Sequence, residues 1–273
     1  MTRQEALVAA QRDLTTADIP DAATDARRLL AWVLGDDLAV RRDPDVALTH
    51  EQSETLQRAL KQRLQRIPVS HIIGTRSFFG RDFAVTSDVL DPRPETEVLV
   101  SHALDLPWKT VLDLGVGSGA ILATLLAERP TAKGVGADIS QTALTLAAQN
   151  LEHMGAPARA KLIASNWFEQ ITGTHDLIVA NPPYLSAQEM EEISPELRHE
   201  PAIALSPGGD GLSAYRTIIA GARQHLSPGG YVLLEIGATQ AEAVTQIAER
   251  EGWRHIELHR DLDHRPRVVI LRD

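Results

Sequence analysis

Residues 111–122 set a strand-length apolar run, Val111-Leu112-Asp113-Leu114, directly against a glycine-rich turn, Gly115-Val116-Gly117-Ser118-Gly119. A helix-period segment with Ile121, Leu122, Leu125 and Leu126 follows, and Pro130 stops it. Glycines at such a junction let the chain turn sharply and bring backbone close to a ligand. Strand, glycine turn and helix in that order open a parallel α/β unit, and the alternation continues. Gly134–Ile139 is a second strand, and Gln141–Met154 a helix with Leu144, Ala147, Ala148 and Leu151 on one side. Lys161–Ala164 and Asp176–Ala180 read as strands, Leu212–Leu226 as a helix, Tyr231–Ile236 as a strand and Thr239–Glu251 as a helix. His255–His259 and Val268–Leu271 close the chain as two strands with no helix between them, hence an antiparallel pair. The expected fold class is α/β, a mostly parallel seven-stranded sheet with helices on both faces and a C-terminal antiparallel strand.

The first 75 residues have a different texture. Ala6, Leu7, Ala10 and Leu14 mark one amphipathic helix, and Asp21 is expected to cap a second that ends at Gly35. Thr49 is expected to cap a third, with Leu56, Leu60 and Leu64 on one face and Pro68 at its end. Short connections suggest a small helical bundle. Arg63 and Arg66 read as part of its solvated face. Ser77 to Val85 reads as a β-hairpin of longer loop type around Gly80-Arg81-Asp82. Pro92-Arg93-Pro94-Glu95-Thr96-Glu97 then leads into a helix starting near Glu95.

Composition narrows the class. With no Cys, a disulfide scaffold and any thiolate-held metal are excluded. His255, Glu257, His259 and His264 make no metal motif, so no metal is expected. No apolar run approaches the ~20 residues that span a bilayer, and the N-terminus lacks a signal-peptide core, so a cytoplasmic protein without a membrane partner is expected. The net charge is −10, and it falls mostly after residue 75, where 17 Lys and Arg face 26 Asp and Glu. A duplex-binding surface needs cations, so direct nucleic-acid binding is not expected.

Two features give the glycine loop a chemistry. Asp138 ends the second strand, where a carboxylate can accept both hydroxyl protons of a ribose. The string with Ala120 last also fits the dinucleotide pattern Gly-x-Gly-x-x-Gly/Ala, so that reading stays open here. The fourth strand runs into Asn181-Pro182-Pro183-Tyr184, at the end of a parallel strand where open α/β sheets place ligands. Asn181 offers a side-chain carbonyl, and Pro182 a main-chain carbonyl whose direction Pro183 restricts. Two fixed acceptors suit a planar –NH2 group, and Tyr184 can pack upon it.

Together these strings resemble a class I S-adenosylmethionine (SAM) methyltransferase. More closely, the chain resembles the HemK/PrmC family, which methylates the glutamine N5 of peptide-chain release factors. Pro68-Val69-Ser70-His71-Ile72-Ile73-Gly74, the Pro-Arg-Pro-Glu-Thr-Glu run, the loop from Asp113 to Ile121 and Glu200-Pro201 carry that resemblance. Val116 stands where the family commonly has Thr or Cys, and Asp91 where an apolar residue is frequent. The resemblance implies SAM contacts from Gly115, Val116, Gly117, Ser118, Gly119, Asp138 and Asn181, with Trp167 beside adenine and S-adenosylhomocysteine as product. It assigns the substrate glutamine to Asn181, Pro182, Pro183 and Tyr184, with Asn181, Pro182 and Tyr184 catalytic. Asp113 would organise the loop backbone near the methionine end. The expected domains are a helical substrate-docking domain (1–75), a β-hairpin linker (76–94) and a Rossmann-like methyltransferase domain (95–273). Class I release factors are the expected partners. Leu185–Gly211 is expected to be a solvated, mobile segment. The alternatives are a methyltransferase of an exocyclic base amine, which is also a planar nitrogen, and one of a ribosomal-protein glutamine.

Overall fold

The computed structural model describes residues 1–273, which form two compact units. The first comprises Met1–Thr75 and Ser194–His199. Its helices are α1 (Arg3–Thr16), α2 (Ala22–Leu34), the short α3 (Ala39–Arg42), α4 (His50–Leu64) and α5 (Val69–Ile73). Thr2 with Glu5 and Thr49 with Gln52 make reciprocal capping boxes, which satisfy otherwise orphaned N–H groups and set where α1 and α4 begin. Ala6, Leu29, Leu30, Leu56 and Ala59 fill one part of the core, and Ala10, Leu14 and Ala26 another.

Two expectations are corrected in the first unit. Asp21 precedes α2, but in a left-handed conformation (φ 57°) and with no side-chain capping bond. Arg63 is not a solvated residue. It is buried, donates to Asp25 (2.7 Å) and Glu196 (3.0 Å), and shares Glu196 with Arg66 (3.4 Å). Residues 185–211 hold the exposed acids Glu189, Glu191 and Glu192, as expected of a solvated segment, and are also tied by backbone bonds. Leu185 N–H donates to the Leu205 carbonyl and Ala187 N–H to that of Gly209, and Ser194–His199 packs within the helical unit.

The second unit is Arg76–Ile193 with Glu200–Asp273. A hairpin pairs β1 (Thr75–Phe78) with β2 (Arg81–Ala84). Its loop has two residues, Phe79 and Gly80, both at positive φ, so it is tighter than the longer loop the sequence suggests. Phe78 and Phe83 meet edge to face in the core, which holds this turn although Phe is a poor residue for positive φ.

Next come α6 (Thr96–Asp105), β3 (Thr110–Leu114), α7 (Ala120–Glu128), β4 (Lys133–Asp138), α8 (Gln141–His153), β5 (Ala160–Ala164) and β6 (His175–Ala180). Then follow a short α9 (Ala202–Leu205), α10 (Ser213–Ala222), β7 (Leu226–Glu235), α11 (Ala241–Arg250), β8 (His255–Arg260) and β9 (Pro266–Arg272). The sheet order is β5-β4-β3-β6-β7-β9-β8, parallel from β5 to β7, with β9 antiparallel to both its neighbours. Strand β7 starts at Leu226, ahead of the expected Tyr231, with an irregular register against β6.

Side chains alternate across the sheet with the period of two that strands impose. Val111, Leu177, Val179, Leu233, Val268 and Ile270 join the core with α6, α7 and α8. Leu112, Leu114, Ile178, Val232, Leu234 and Val269 join the opposite core with α10 and α11. Burial of both faces explains why β3, β6 and β7 read as apolar runs. Sheet order reverses between β3 and β6, so the glycine loop and Asn181 emerge side by side at the switch point. No helix is long and apolar enough to cross a membrane.

Candidate active site

The loop after β3 hangs on the end of β4. The N–H groups of Gly115 and Val116 both donate to the Ala137 carbonyl, at 2.8 and 2.9 Å. Gly119 has φ 80°, and a Cβ there would stand 3.1 Å from that of Ala147. Glycine at this position therefore serves both the turn and the close approach of the loop to α8.

Asp138 faces the same loop. One carboxylate oxygen accepts from Gly117 N–H and the other from Ser140 N–H, each at 2.9 Å. Ser140 is the residue that caps α8, so Asp138 is free of that duty. A carboxylate has about four lone-pair sites, so two remain for ribose hydroxyls.

A cavity of about 360 Å³ lies over these groups, a size that suits a nucleoside-bearing ligand. Its wall includes 115–118, Asp138, Trp167, Asn181 and Pro183. Gly119 sits behind the wall. Ile139 also lines it and is 58 % exposed, an apolar surface next to the acid. Trp167 is held at φ 51°, a left-handed conformation that is a genuine outlier for a bulky side chain. Ser165 Oγ fixes it by donating to the Trp167 carbonyl. The ring closes on the glycine loop: a Cβ on Gly115 would lie 3.9 Å from it. These groups fit SAM: hydrogen-bond acceptors for a ribose, apolar walls for a base, and a glycine backbone that a ligand can approach.

Asp113 lies outside the cavity lining. It is fully buried and accepts from Leu122 N–H of α7 at 3.2 Å, so it ties the helix start to the strand rather than facing the cavity. Burial pushes its carboxyl up to about 7, with the Leu122 N–H pulling it down and Asp138 adding a smaller upward push.

The Asn-Pro-Pro-Tyr turn is anchored at both ends. Asn181 Nδ2 donates to Thr96 Oγ1 at 3.1 Å, while Asn181 Oδ1 is buried with no hydrogen-bond partner. Tyr184 N–H donates to the Leu205 carbonyl, and Gln240 Nε2 donates to the Tyr184 carbonyl at 2.8 Å. A Cβ on Gly211 (φ 75°) would run into that same carbonyl. Pro182 is buried and does not line the cavity, and the Tyr184 ring packs on the α10–α11 core. Arg93, on the cavity wall, pairs with buried Glu200, which also accepts from Asp91 N–H. The two strings Pro-Arg-Pro-Glu-Thr-Glu and Glu-Pro thus meet as one ion pair.

Three residues of this region escaped sequence reasoning: Ile139, Thr96 and Glu235. Only Glu235 carries a local signal, a lone acid ending an apolar strand.

The sheet order, the glycine loop with its acid and the cavity at the switch point define a class I methyltransferase. The Methyltransferase small domain matches residues 86–212 and the PrmC N-terminal domain residues 5–74. The release factor glutamine methyltransferase of Cereibacter sphaeroides is 49% identical over 275 residues, covering 100% of this chain and 99% of its own. That of Caulobacter vibrioides is 40% identical over 277 residues, covering 99% of this chain and 96% of its own. Among solved structures, a methyltransferase from Pyrococcus furiosus shares the fold at TM-score 0.57 and 17% identity, over 78% of this chain and 98% of its own. A 16S rRNA N2 methyltransferase from Thermus thermophilus, in complex with AdoMet and guanosine, does so at TM-score 0.52 and 17% identity, over 73% and 49%. The chain belongs to the release factor glutamine methyltransferase family.

Proposed function

We infer that this protein transfers the methyl group of SAM to the side-chain amide nitrogen of a glutamine in class I peptide-chain release factors, the Gln of their Gly-Gly-Gln loop. The observation that carries the reading is Asn181, which lines the cavity that the glycine loop and Asp138 share and whose Oδ1 has no hydrogen-bond partner. SAM, when bound, supplies an electrophilic methyl carbon on its sulfonium.

The protein's task is orientation. An amide nitrogen is a poor nucleophile because its lone pair is delocalised into the carbonyl. Asn181, on the cavity wall, accepts a hydrogen of the planar –NH2 through its Oδ1 and turns the nitrogen toward the methyl donor. That acceptor gains strength as the nitrogen becomes positive, which favours the transition state over the ground state. The N–C bond forms as the S–C bond breaks, and the nitrogen releases one proton afterwards. The loop 115–119, Asp138 and Trp167 hold the donor, and the anchored carbonyl of Tyr184 keeps the turn rigid. The helical unit grips the folded release factor, in the cytoplasm where translation ends.

A methyltransferase of a base amine is the rival, and a net charge of −10 disfavours it. Labelled SAM, offered with purified release factor and separately with RNA, tests the reading. One labelled glutamine in the release factor is expected; label on RNA alone would overturn it.

A further inference from the structure

The cavity wall carries two large apolar side chains that are open to solvent, Ile139 at 58 % and Ile203 at 59 %. They stand on opposite sides of the switch point. Ile139 follows β4 directly, next to Asp138. Ile203 lies in α9, and α9 is tied to the turn that follows β6. The Leu205 carbonyl accepts from Tyr184 N–H (3.2 Å) and from Leu185 N–H (3.0 Å), and Ser206 Oγ donates to the Leu185 carbonyl. In the sheet β3 separates β4 from β6, so these strand ends lie two strand spacings apart, roughly 10 Å. The ribose acceptor Asp138 is thus on the Ile139 side, and Asn181 on the Ile203 side.

The frame around Ile203 is fixed at its other end as well. Glu200, two positions before α9, is buried and accepts from Arg93 and from Asp91 N–H. Leu205, at the end of the helix, is buried too. The backbone that carries Ile203 is held on both sides, yet its own side chain is more than half uncovered. Single exposed apolar residues are common on any protein surface. This one differs in lining a cavity beside the turn that holds Asn181. A nucleoside bound at Asp138 fills the Ile139 side. The chain that carries the glutamine must reach Asn181 from outside, along the Ile203 side.

We propose that Ile203 is a substrate-contact residue, packing on the segment of the release factor that flanks the methyl-accepting glutamine, while Ile139 faces the cofactor. The proposal rests on the reading of the Asn181 turn as the substrate site. A glycine-rich segment suits the contact, because a backbone without Cβ atoms can lie flat against a branched side chain.

The test compares full-length wild type, Ile203→Ala, Ile203→Asp, Ile203→Val and Ile139→Ala, with labelled SAM and two methyl acceptors, intact release factor and a short Gly-Gly-Gln peptide. Ile203→Ala is expected to raise KM for both acceptors by about tenfold, the scale of losing most of one branched side chain from a contact. Ile203→Asp should raise it further, since a carboxylate would have to be desolvated against the substrate. Ile203→Val, which keeps a branched apolar surface, should stay close to the wild-type KM. In all three, kcat at saturating acceptor and SAM affinity by calorimetry should stay within about threefold of wild type, the mark of a contact equal in ground and transition states. Ile139→Ala should do the converse, weakening SAM binding and leaving KM for the peptide unchanged. A residue that only supports the fold would not separate KM from SAM affinity in this way. Wild-type KM in both Ile203→Ala and Ile203→Asp would overturn the proposal, and so would a loss of SAM affinity in Ile203→Ala as large as that in Ile139→Ala. Failure of the wild-type protein to label release factor or peptide would instead overturn the functional reading on which it rests.

Discussion

Asn150 and Ala84 exchange two hydrogen bonds, Ala84 N–H to Asn150 Oδ1 at 2.8 Å and Asn150 Nδ2 to the Ala84 carbonyl at 3.0 Å. A side-chain amide of α8 thus pairs with β2 as a neighbouring strand would. The same Nδ2 also donates to the Ser118 carbonyl at 2.8 Å, which links the hairpin to the glycine loop through one buried residue. Asn150→Ala removes three bonds and leaves buried backbone groups unpaired. It should cost about 2–4 kcal/mol of stability by denaturant titration. SAM affinity should also fall, because the loop carbonyl loses its tether. A variant as stable as wild type would show that water or a neighbour replaces the amide.

Asp138 carries two loads, the backbone of Gly117 and Ser140 and, in the functional reading, the ribose hydroxyls. Asp138→Ala should weaken SAM binding by at least about tenfold in calorimetry, the low end for losing a charged hydrogen bond. Unchanged affinity would remove Asp138 from the cofactor site.

What the sequence discloses and what it hides divides along range. The glycine loop, Asp138 and Asn-Pro-Pro-Tyr are local strings at strand ends, so their chemistry can be read before any fold is known. The bond from Asn181 to Thr96 depends on where α6 starts relative to the end of β6, and no local pattern encodes that. Arg63 misleads for the same reason. On its helix it looks like one more surface cation, yet its partner Glu196 lies 133 positions away. The Phe79-Gly80 turn is opaque because Phe is an unusual choice at positive φ, and only the packing of Phe78 on Phe83 accounts for it.

Two buried acids make the stability of the protein depend on pH. Burial pushes the carboxyls of Asp113 and Glu235 up to about 7; around Glu235, Thr96, Arg267 and Arg93 pull down while Glu95 pushes up, and Tyr184 faces it as well. A raised pKa means the folded state holds its proton more tightly than the unfolded chain does. The resulting stability is fully present below about 4 and is lost as pH rises toward about 7, on the order of a few kcal/mol. Asp113→Asn keeps an acceptor for Leu122 N–H and should flatten that slope in denaturant titrations from pH 4 to 7. A slope unchanged in Asp113→Asn would assign the titration to another group.

The docking role proposed for the helical unit calls for surface substitutions rather than deletion. Ser194–His199 belongs to that unit, and Glu196 takes hydrogen bonds from Arg63 and Arg66. Removing residues 1–75 would therefore strip the partners from a stretch that lies between Tyr184 and Gly211, and activity would fall whether or not the unit binds anything. The unit instead exposes large apolar side chains, Trp32 (42 %) and Leu38 (58 %) among them. Aromatic anchors carry much of the energy in protein interfaces. Trp32 and Leu38 belong to the helical unit and neither lines the cavity, so Trp32→Glu and Leu38→Glu should leave SAM affinity unchanged. Activity on a short Gly-Gly-Gln peptide, which is too small to need docking, should also stay at the wild-type level. On intact release factor, kcat/KM for Trp32→Glu should drop by about tenfold or more, the effect of losing one anchor. Equal activity of wild type and both variants on the intact protein would place substrate recognition outside this face, and equal loss on protein and peptide would mark a structural defect.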